Sequence, residues 1–207
     1  MILLRSGVKL VLMEKLSIYL FLIFFGFPAL SFAEDISEFK IEGMSTGDSL
    51  LDYMSVEEIK ENVGFIYEDK KFTVSMYNKS SETYDVVAIE YKSNDKKYKI
   101  HGLQGLIFFK NNIEGCYKKQ DEVEKEISSM FTETKKKNWG ILTNPGRAEG
   151  STYKVISFNF NNGSRATIEC YHYSDVPQDD HLKIATSSKE LTKYIDYITA
   201  QERKTNN

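Results

Sequence analysis

Ser49, preceded by Gly47 and Asp48, raises the question of a serine nucleophile. A serine attacks only when a base takes its proton and a further group orients that base. Three histidines are available for that role, His101, His172 and His181. Glu169 stands three residues before His172, but both fall in what reads as one strand, and the residue three before His181 is Gln178. His101 alternates with Lys97 and Lys99 and is expected on a solvated strand face. His181, beside Asp179 and Asp180, is expected in a surface turn. Cys170 and His172 form a Cys-x-His pair, which holds a metal only with two further ligands at suitable spacing, and the sequence offers none. No calcium-loop spacing occurs either, so neither a metal nor a cofactor is expected. Glu57-Glu58 and Glu124 with Glu126 read as solvated helix faces.

Gly47-Asp48-Ser49-Leu50 resembles the nucleophile block of the GDSL, or SGNH, hydrolases. That resemblance implies a catalytic Ser49. The family also carries a Gly-x-Asn-Asp block for the oxyanion and a late Asp-x-x-His for the base, and neither has a counterpart in this chain. Asp48 or Ser49 is therefore expected to cap a short helix. Ser49 stays the single catalytic candidate, under a runner-up reading as a periplasmic serine hydrolase. A wider likeness runs through "FKIEGMSTGDSLLDYMSVEEIK", "NNIEGCYKKQDEVEKEISSMF" and "LKIATSSKE". Together these stretches are similar to an uncharacterised family of small exported proteins from marine alphaproteobacteria. The resemblance implies bacterial export and brings no activity, ligand or site residue with it.

The first 33 residues read as a secretory leader. Lys15 precedes the apolar run "LSIYLFLIFFGF", Pro28 ends it, and Ser31-Phe32-Ala33 offers small residues where a signal peptidase cuts, between Ala33 and Glu34. Met13 is an alternative start. The competing arrangement is an inner-membrane anchor left uncleaved, in which case the chain touches the membrane only through that segment. The remaining chain, 34–201, is long enough for one domain with a sizeable core, with a polar, frayed tail at 202–207. The whole chain carries a net charge of −3, which falls further once Arg5, Lys9 and Lys15 leave with the leader. Nucleic acid is a poor partner for such a surface, because affinity there rests on cations against phosphate. Lys135-Lys136-Lys137 is the one dense basic run and reads as a solvated loop after a helix. Lysine outnumbers arginine 23 to 4, a bias suited to an AT-rich bacterial genome.

The elements that must position these groups follow from periodicity. Two short helices are expected near Leu50 and after Ser55, the second with Ser55 and Glu58 as a capping box and Val56, Ile59 and Val63 buried. Period-two runs at 71–77, 83–92 and 97–102 read as strands, and "LQGLIFFK" at 103–110 as a buried one. A helix from about Cys116 to Phe131 presents Val123, Ile127, Met130 and Phe131 on one face. "NWGILTNPGRAEG" reads as a loop. Two alternating strands then flank Asn162-Gly163, a pair favoured in type I′ hairpins. "LKIATSS" reads as another strand, and Ser187 with Glu190 as the capping box of a last helix. The class is α+β, a single domain in which an antiparallel sheet carries helices on one face.

Cys116 and Cys170 both fall on core-facing positions and are expected to form a structural disulfide, two separate buried thiols being the alternative. The function expected is an exported, periplasmic domain that binds either an envelope protein or a small ligand, with Tyr171 and Tyr173 on the sheet's outer face either as surface aromatics or packed under a loop.

Overall fold

The computed structural model describes residues 35–144 and 147–205. The leader and its cleavage point at Ala33 and Glu34 lie outside the described residues. Two minimal strands, β1 (Lys40–Ile41) and β2 (Met44–Ser45), pair with each other. The main sheet is built from β3 (Val63–Ile66), β4 (Phe72–Met76), β5 (Val86–Lys92), β6 (Ile100–Phe108), β7 (Lys135–Thr143), β8 (Thr152–Asn159), β9 (Arg165–His172) and β10 (His181–Ser187). Among the described residues three α-helices accompany it, α1 (Val56–Glu61), α2 (Ile113–Met130) and α3 (Lys189–Thr205). The strand order is β3-β4-β5-β6-β10-β9-β8-β7, antiparallel throughout, so the structure is the single-domain α+β fold expected.

The last strand in the chain occupies the middle of the sheet. β10 pairs with β6 on one side and β9 on the other, and so joins two meanders that are otherwise separate. One face of this sheet holds the main core. Ala166, Ile168 and Cys170 of β9 project there with Leu182 and Ile184 of β10, Leu103 of β6, and Val87 and Ile89 of β5, all buried. α2 lies over β9 and β10, with Cys116, Gln120, Val123 and Ile127 buried beneath it. Ile36, Phe39, Ile41, Met44, Leu50, Met54 and Ile59 from the N-terminal segment cover the rest of that core. Fully burying each such side chain contributes about 1.5–3 kcal/mol.

The disulfide joins Cys116 to Cys170, with Cα atoms 6.0 Å apart, and ties α2 to β9. α2 begins three residues earlier than expected because Asn112 caps it, its side chain accepting from Gly115 N at 3.0 Å. Gln120 takes a place on the buried stripe and donates from Nε2 to the carbonyls of Lys154 and Ile168, both at 2.9 Å. Met130, expected on that stripe, is exposed instead, and Phe131 just beyond the helix turns into the core.

α3 crosses the opposite face at one end, so the helices are not confined to the one face expected. Leu191 and Tyr194 pack there on Phe72 as a second, smaller cluster. Gly102 permits that approach, since a Cβ at this position would collide with Leu191 and with the Glu90 carboxylate. The cap of α3 is Ser188, which accepts from Leu191 N at 3.3 Å; Ser187, expected in that role, instead shares a hydrogen bond with Thr192 at 2.7 Å. α3 continues to Thr205, past Gln201 where the sequence places the start of a tail. Beneath α3 lies His101, buried rather than solvated, with its ring edge-on to Phe72 and Nδ1 at 2.9 Å from Ser188 Oγ. Lys97 and Lys99 mislead because they precede β6, which begins at Ile100, whereas His101 lies within it against Ser188 and Phe72.

Other elements also depart from expectation. Residues 97–110 give one strand, β6, rather than two. Lys135-Lys136-Lys137 and "NWGILT" form the edge strand β7, not a loop, and its partner β8 supplies the regular pairing that propensity did not announce. Val63 lies in β3 and is exposed, not buried with Ile59. The hairpin between β8 and β9 has a three-residue loop in which Gly163 alone has positive φ, +88°. Gly163 N donates to Phe160 O and Phe160 N to Ser164 O, each at 3.0 Å. That is a type I turn closed by a glycine bulge, an alternative to type I′ that the same Asn-Gly pair satisfies.

Candidate ligand site on the open sheet face

Ser49 is committed as a helix cap. It caps the 3₁₀ turn Leu50–Asp52, with Oγ accepting from Leu51 N at 3.3 Å and donating to Lys97 O at 3.0 Å. The proton a nucleophile must give to a base is thus shared with a backbone carbonyl. Asp48 is equally committed, accepting from Ser45 N at 2.9 Å and from Tyr53 OH at 2.7 Å, the latter pushing the Tyr53 hydroxyl up to about 12.

His172 and His181 occupy the far end of the sheet, on opposite sides of the loop that ends β9. His172 Nδ1 lies 3.0 Å from Oδ2 of the buried Asp180, whose Oδ1 accepts from Tyr173 N at 3.0 Å. His181, expected in a surface turn, is instead the first residue of β10 and is buried. Its Nδ1 lies 2.8 Å from Asp179 O. A carbonyl only accepts, so Nδ1 carries the hydrogen and Nε2 keeps its lone pair. Burial holds the ring below the ordinary value of 6.5, leaving it neutral at pH 7.

Around His181 the sheet register gathers aromatics that are distant in sequence. Tyr153 of β8 stands directly opposite Tyr171 of β9, Tyr171 opposite His181 of β10, and His181 opposite Phe108 of β6. Their ring centroids are 5.6, 5.0 and 5.8 Å apart in that order, a ladder across four strands. Direct cross-strand pairs of this kind add about 0.5–1.5 kcal/mol beyond the area they bury. Tyr173 extends the stack, 6.2 Å from Tyr171 and 5.9 Å from His181.

The next positions along the same face carry paired charges. Lys183 Nζ is 2.9 Å from Glu169 Oε2 and donates to Tyr171 OH at 3.1 Å, while Tyr171 OH donates to Glu169 Oε2 and Thr167 Oγ1 to Oε1. Burial pulls Lys183 down, but the facing Glu169 carboxylate outweighs it and leaves the ammonium above its ordinary 10.5. Burial likewise pushes Glu169 up, but Lys183 and these hydrogen bonds leave it below 4.5. Farther along lies Glu90, 2 % exposed, accepting from Tyr67 OH at 2.7 Å. Here burial wins and raises the carboxyl above its ordinary value.

At the Phe108 end of the ladder a pocket of about 270 Å³ opens, lined by Leu106, Phe108, Arg147, Tyr173, Val176, Asp179 and His181. Arg147 lies over the Tyr173 ring, its Cζ 5.0 Å from the centroid. Tyr173, picked out from sequence as a surface aromatic, therefore forms part of a pocket wall, and Tyr171 lies half-buried in the stack beside it. Arg147, Phe108, Asp179 and Lys183 were not legible as site residues. The parity of Lys183 with His181 in β10 does put both on one face, but only the register with β9 and β6 shows what they meet. Among the described residues no three His, Cys, Asp or Glu side chains are grouped as metal ligands would be. No helix among them is long and apolar enough to cross a membrane.

The disulfide fits an oxidising, exported location. The chain matches no protein-family model, no curated protein and no solved structure.

Proposed function

We propose that the protein is an exported binding domain, resident in a bacterial periplasm, that holds a small ligand in the pocket at the end of the aromatic ladder. The observation that carries this reading is the pocket wall itself: Arg147 seated on Tyr173 beside the buried, neutral His181, above the apolar Leu106, Phe108 and Val176. A concave, largely apolar site with a few convergent polar groups is the usual form of a small-molecule site. The ladder and the Lys183–Glu169 pair hold its floor rigid, and α3 leaves this end of the face uncovered. The apolar leader read from the sequence and the Cys116–Cys170 bond support export.

The test is a fragment screen by NMR on the disulfide-bonded protein, with the aromatic resonances of Tyr173, His181 and Phe108 assigned. Hits that shift these three resonances and compete with one another support the reading. Shifts confined to other surfaces, together with repeated capture of a single envelope protein by cross-linking, would replace it with a protein-interaction role.

A further inference from the structure

We infer that the ligand is a small zwitterion with an apolar side chain, a free α-amino acid of the leucine or phenylalanine class, held by its carboxylate on Arg147 and by its ammonium on Asp179. The inference rests on the pocket being a ligand site and names the chemistry of what enters it.

Charge placement carries the argument. The pocket wall holds one fixed cation, Arg147, and one carboxylate, Asp179, and neither forms an ion pair with the other or with any other described residue. A simple anion entering here would meet Asp179 as well as Arg147, and a simple cation the reverse. A neutral guest would leave both charges to solvent and gain nothing from either. A molecule bearing both charges a few ångströms apart satisfies both and leaves the occupied pocket without net charge change. Lys183, a further cation whose charge reaches His181 and Tyr173, is already engaged by Glu169 and does not alter this balance.

The donors and acceptors match as well. A guanidinium presents a planar fork suited to a carboxylate, and its position over Tyr173 holds that fork in place. An ammonium brings three donors and needs acceptors. The Asp179 carboxylate is one, and the lone pair on His181 Nε2, left free because Nδ1 donates to Asp179 O, is a second on the same wall. Leu106, Phe108 and Val176 then offer an apolar surface for a side chain. The volume, about 270 Å³, lies just under the range of about 300–1,000 Å³ usual for drug-sized sites, the scale of one small molecule rather than a polymer segment.

Isothermal titration calorimetry on the disulfide-bonded protein tests this with L-leucine and L-phenylalanine against three leucine analogues. These are 3-methylbutylamine, which lacks the carboxylate, 4-methylpentanoate, which lacks the ammonium, and N-acetyl-leucine, which lacks the positive charge. The amino acids are expected to bind, and each analogue to bind about tenfold more weakly or worse, the loss of one charge-assisted interaction. Arg147→Gln and Asp179→Asn, both on exposed loop positions and checked for folding by circular dichroism, should each lower leucine affinity by a similar factor while leaving the analogue that lacks the matching charge unaffected. Equal binding of leucine and its single-charge analogues would overturn the zwitterion assignment while leaving the binding-domain reading in place. So would the absence of amino-acid binding when neutral fragments still shift Tyr173 and His181. If no compound of any class perturbs those two residues, both conclusions fall together.

Discussion

Lys183 and Glu169 stand directly opposite each other on β10 and β9, their charged atoms 2.9 Å apart and their side chains only 21 % and 12 % exposed. Removing one partner of such a pair leaves the other charged and poorly solvated, whereas removing both is close to neutral. Lys183→Met is expected to cost about 2–3 kcal/mol, under the full burial figure because some solvent reaches the pair. Adding Glu169→Leu to the same chain should restore most of that loss. The pH dependence has two signs. Glu169 lies below its ordinary 4.5, so its stabilisation is present above that value and lost as pH falls through the folded-state value. Lys183 lies above 10.5, so its share is present below that pH and lost only as pH rises beyond it. Urea denaturation of the three chains at pH 7 checks the pairing, and denaturation of the wild type at falling and at rising pH checks the two signs.

Glu90 behaves in the opposite sense. Burial raises its carboxyl, so the folded state holds a proton that the unfolded chain releases near 4.5. Stability from this group is greatest at low pH and declines as pH climbs from the unfolded value toward the folded one. Glu90→Gln keeps an acceptor for the Tyr67 hydroxyl and cannot ionise. It should match or exceed the wild type at pH 7, by up to about 1 kcal/mol, and flatten the decline. Thermal melts of both proteins across pH 4–8 decide it, and a wild-type to variant gap that does not widen with pH would remove Glu90 as the cause.

The Cys116–Cys170 bond spans a sequence separation of 54, for which chain entropy gives about 4 kcal/mol. Cys116→Ala with Cys170→Ala is expected to lose a comparable amount, with small cavities adding to it since both positions are fully buried. Reducing the wild type with dithiothreitol should lower its denaturation midpoint toward that of the double variant. A reduced protein as stable as the oxidised one would mean the bond constrains nothing the core does not already fix.

How much of this was legible in sequence depends on the range of the interaction concerned. The capping box of Ser55 and Glu58 is local, and it forms as expected, Glu58 N donating to Ser55 Oγ at 3.2 Å and Ser55 N to Glu58 Oε2 at 2.7 Å. The core parity of Ala166, Ile168 and Cys170 is also local, and with the helical spacing of Cys116 and Val123 it placed both sulfurs inward. Strand order is not local. Nothing within "LKIATSS" tells that β10 will be central, and without that the pairing of His181 with Tyr171 and Phe108 cannot be drawn. Charged sequence neighbours point His101 and His181 to solvent, yet their burial comes from α3 and from the aromatic ladder, elements separated from them in the chain. Edge strand β7 is not legible in its own residues because lysines and a glycine lower its intrinsic preference, and pairing with β8 overrides that.

Ser49 gives the last prediction, and it separates a cap from a nucleophile. Its Oγ satisfies Leu51 N, one of the donors that a helical turn leaves free, and spends its own hydrogen on Lys97 O. Ser49→Ala removes both bonds and is expected to cost about 1 kcal/mol, whereas Ser49→Asp, which keeps an acceptor for the cap, should recover part of it. Urea denaturation measures these differences. A nucleophilic role requires something else, covalent capture by a fluorophosphonate probe that is abolished in Ser49→Ala. No labelling of the folded wild type is expected, because a hydroxyl whose proton rests on a backbone carbonyl has no base to activate it. Labelling of Ser49 in the native protein, lost on unfolding, would show that a histidine reaches it in solution and would restore the hydrolase reading.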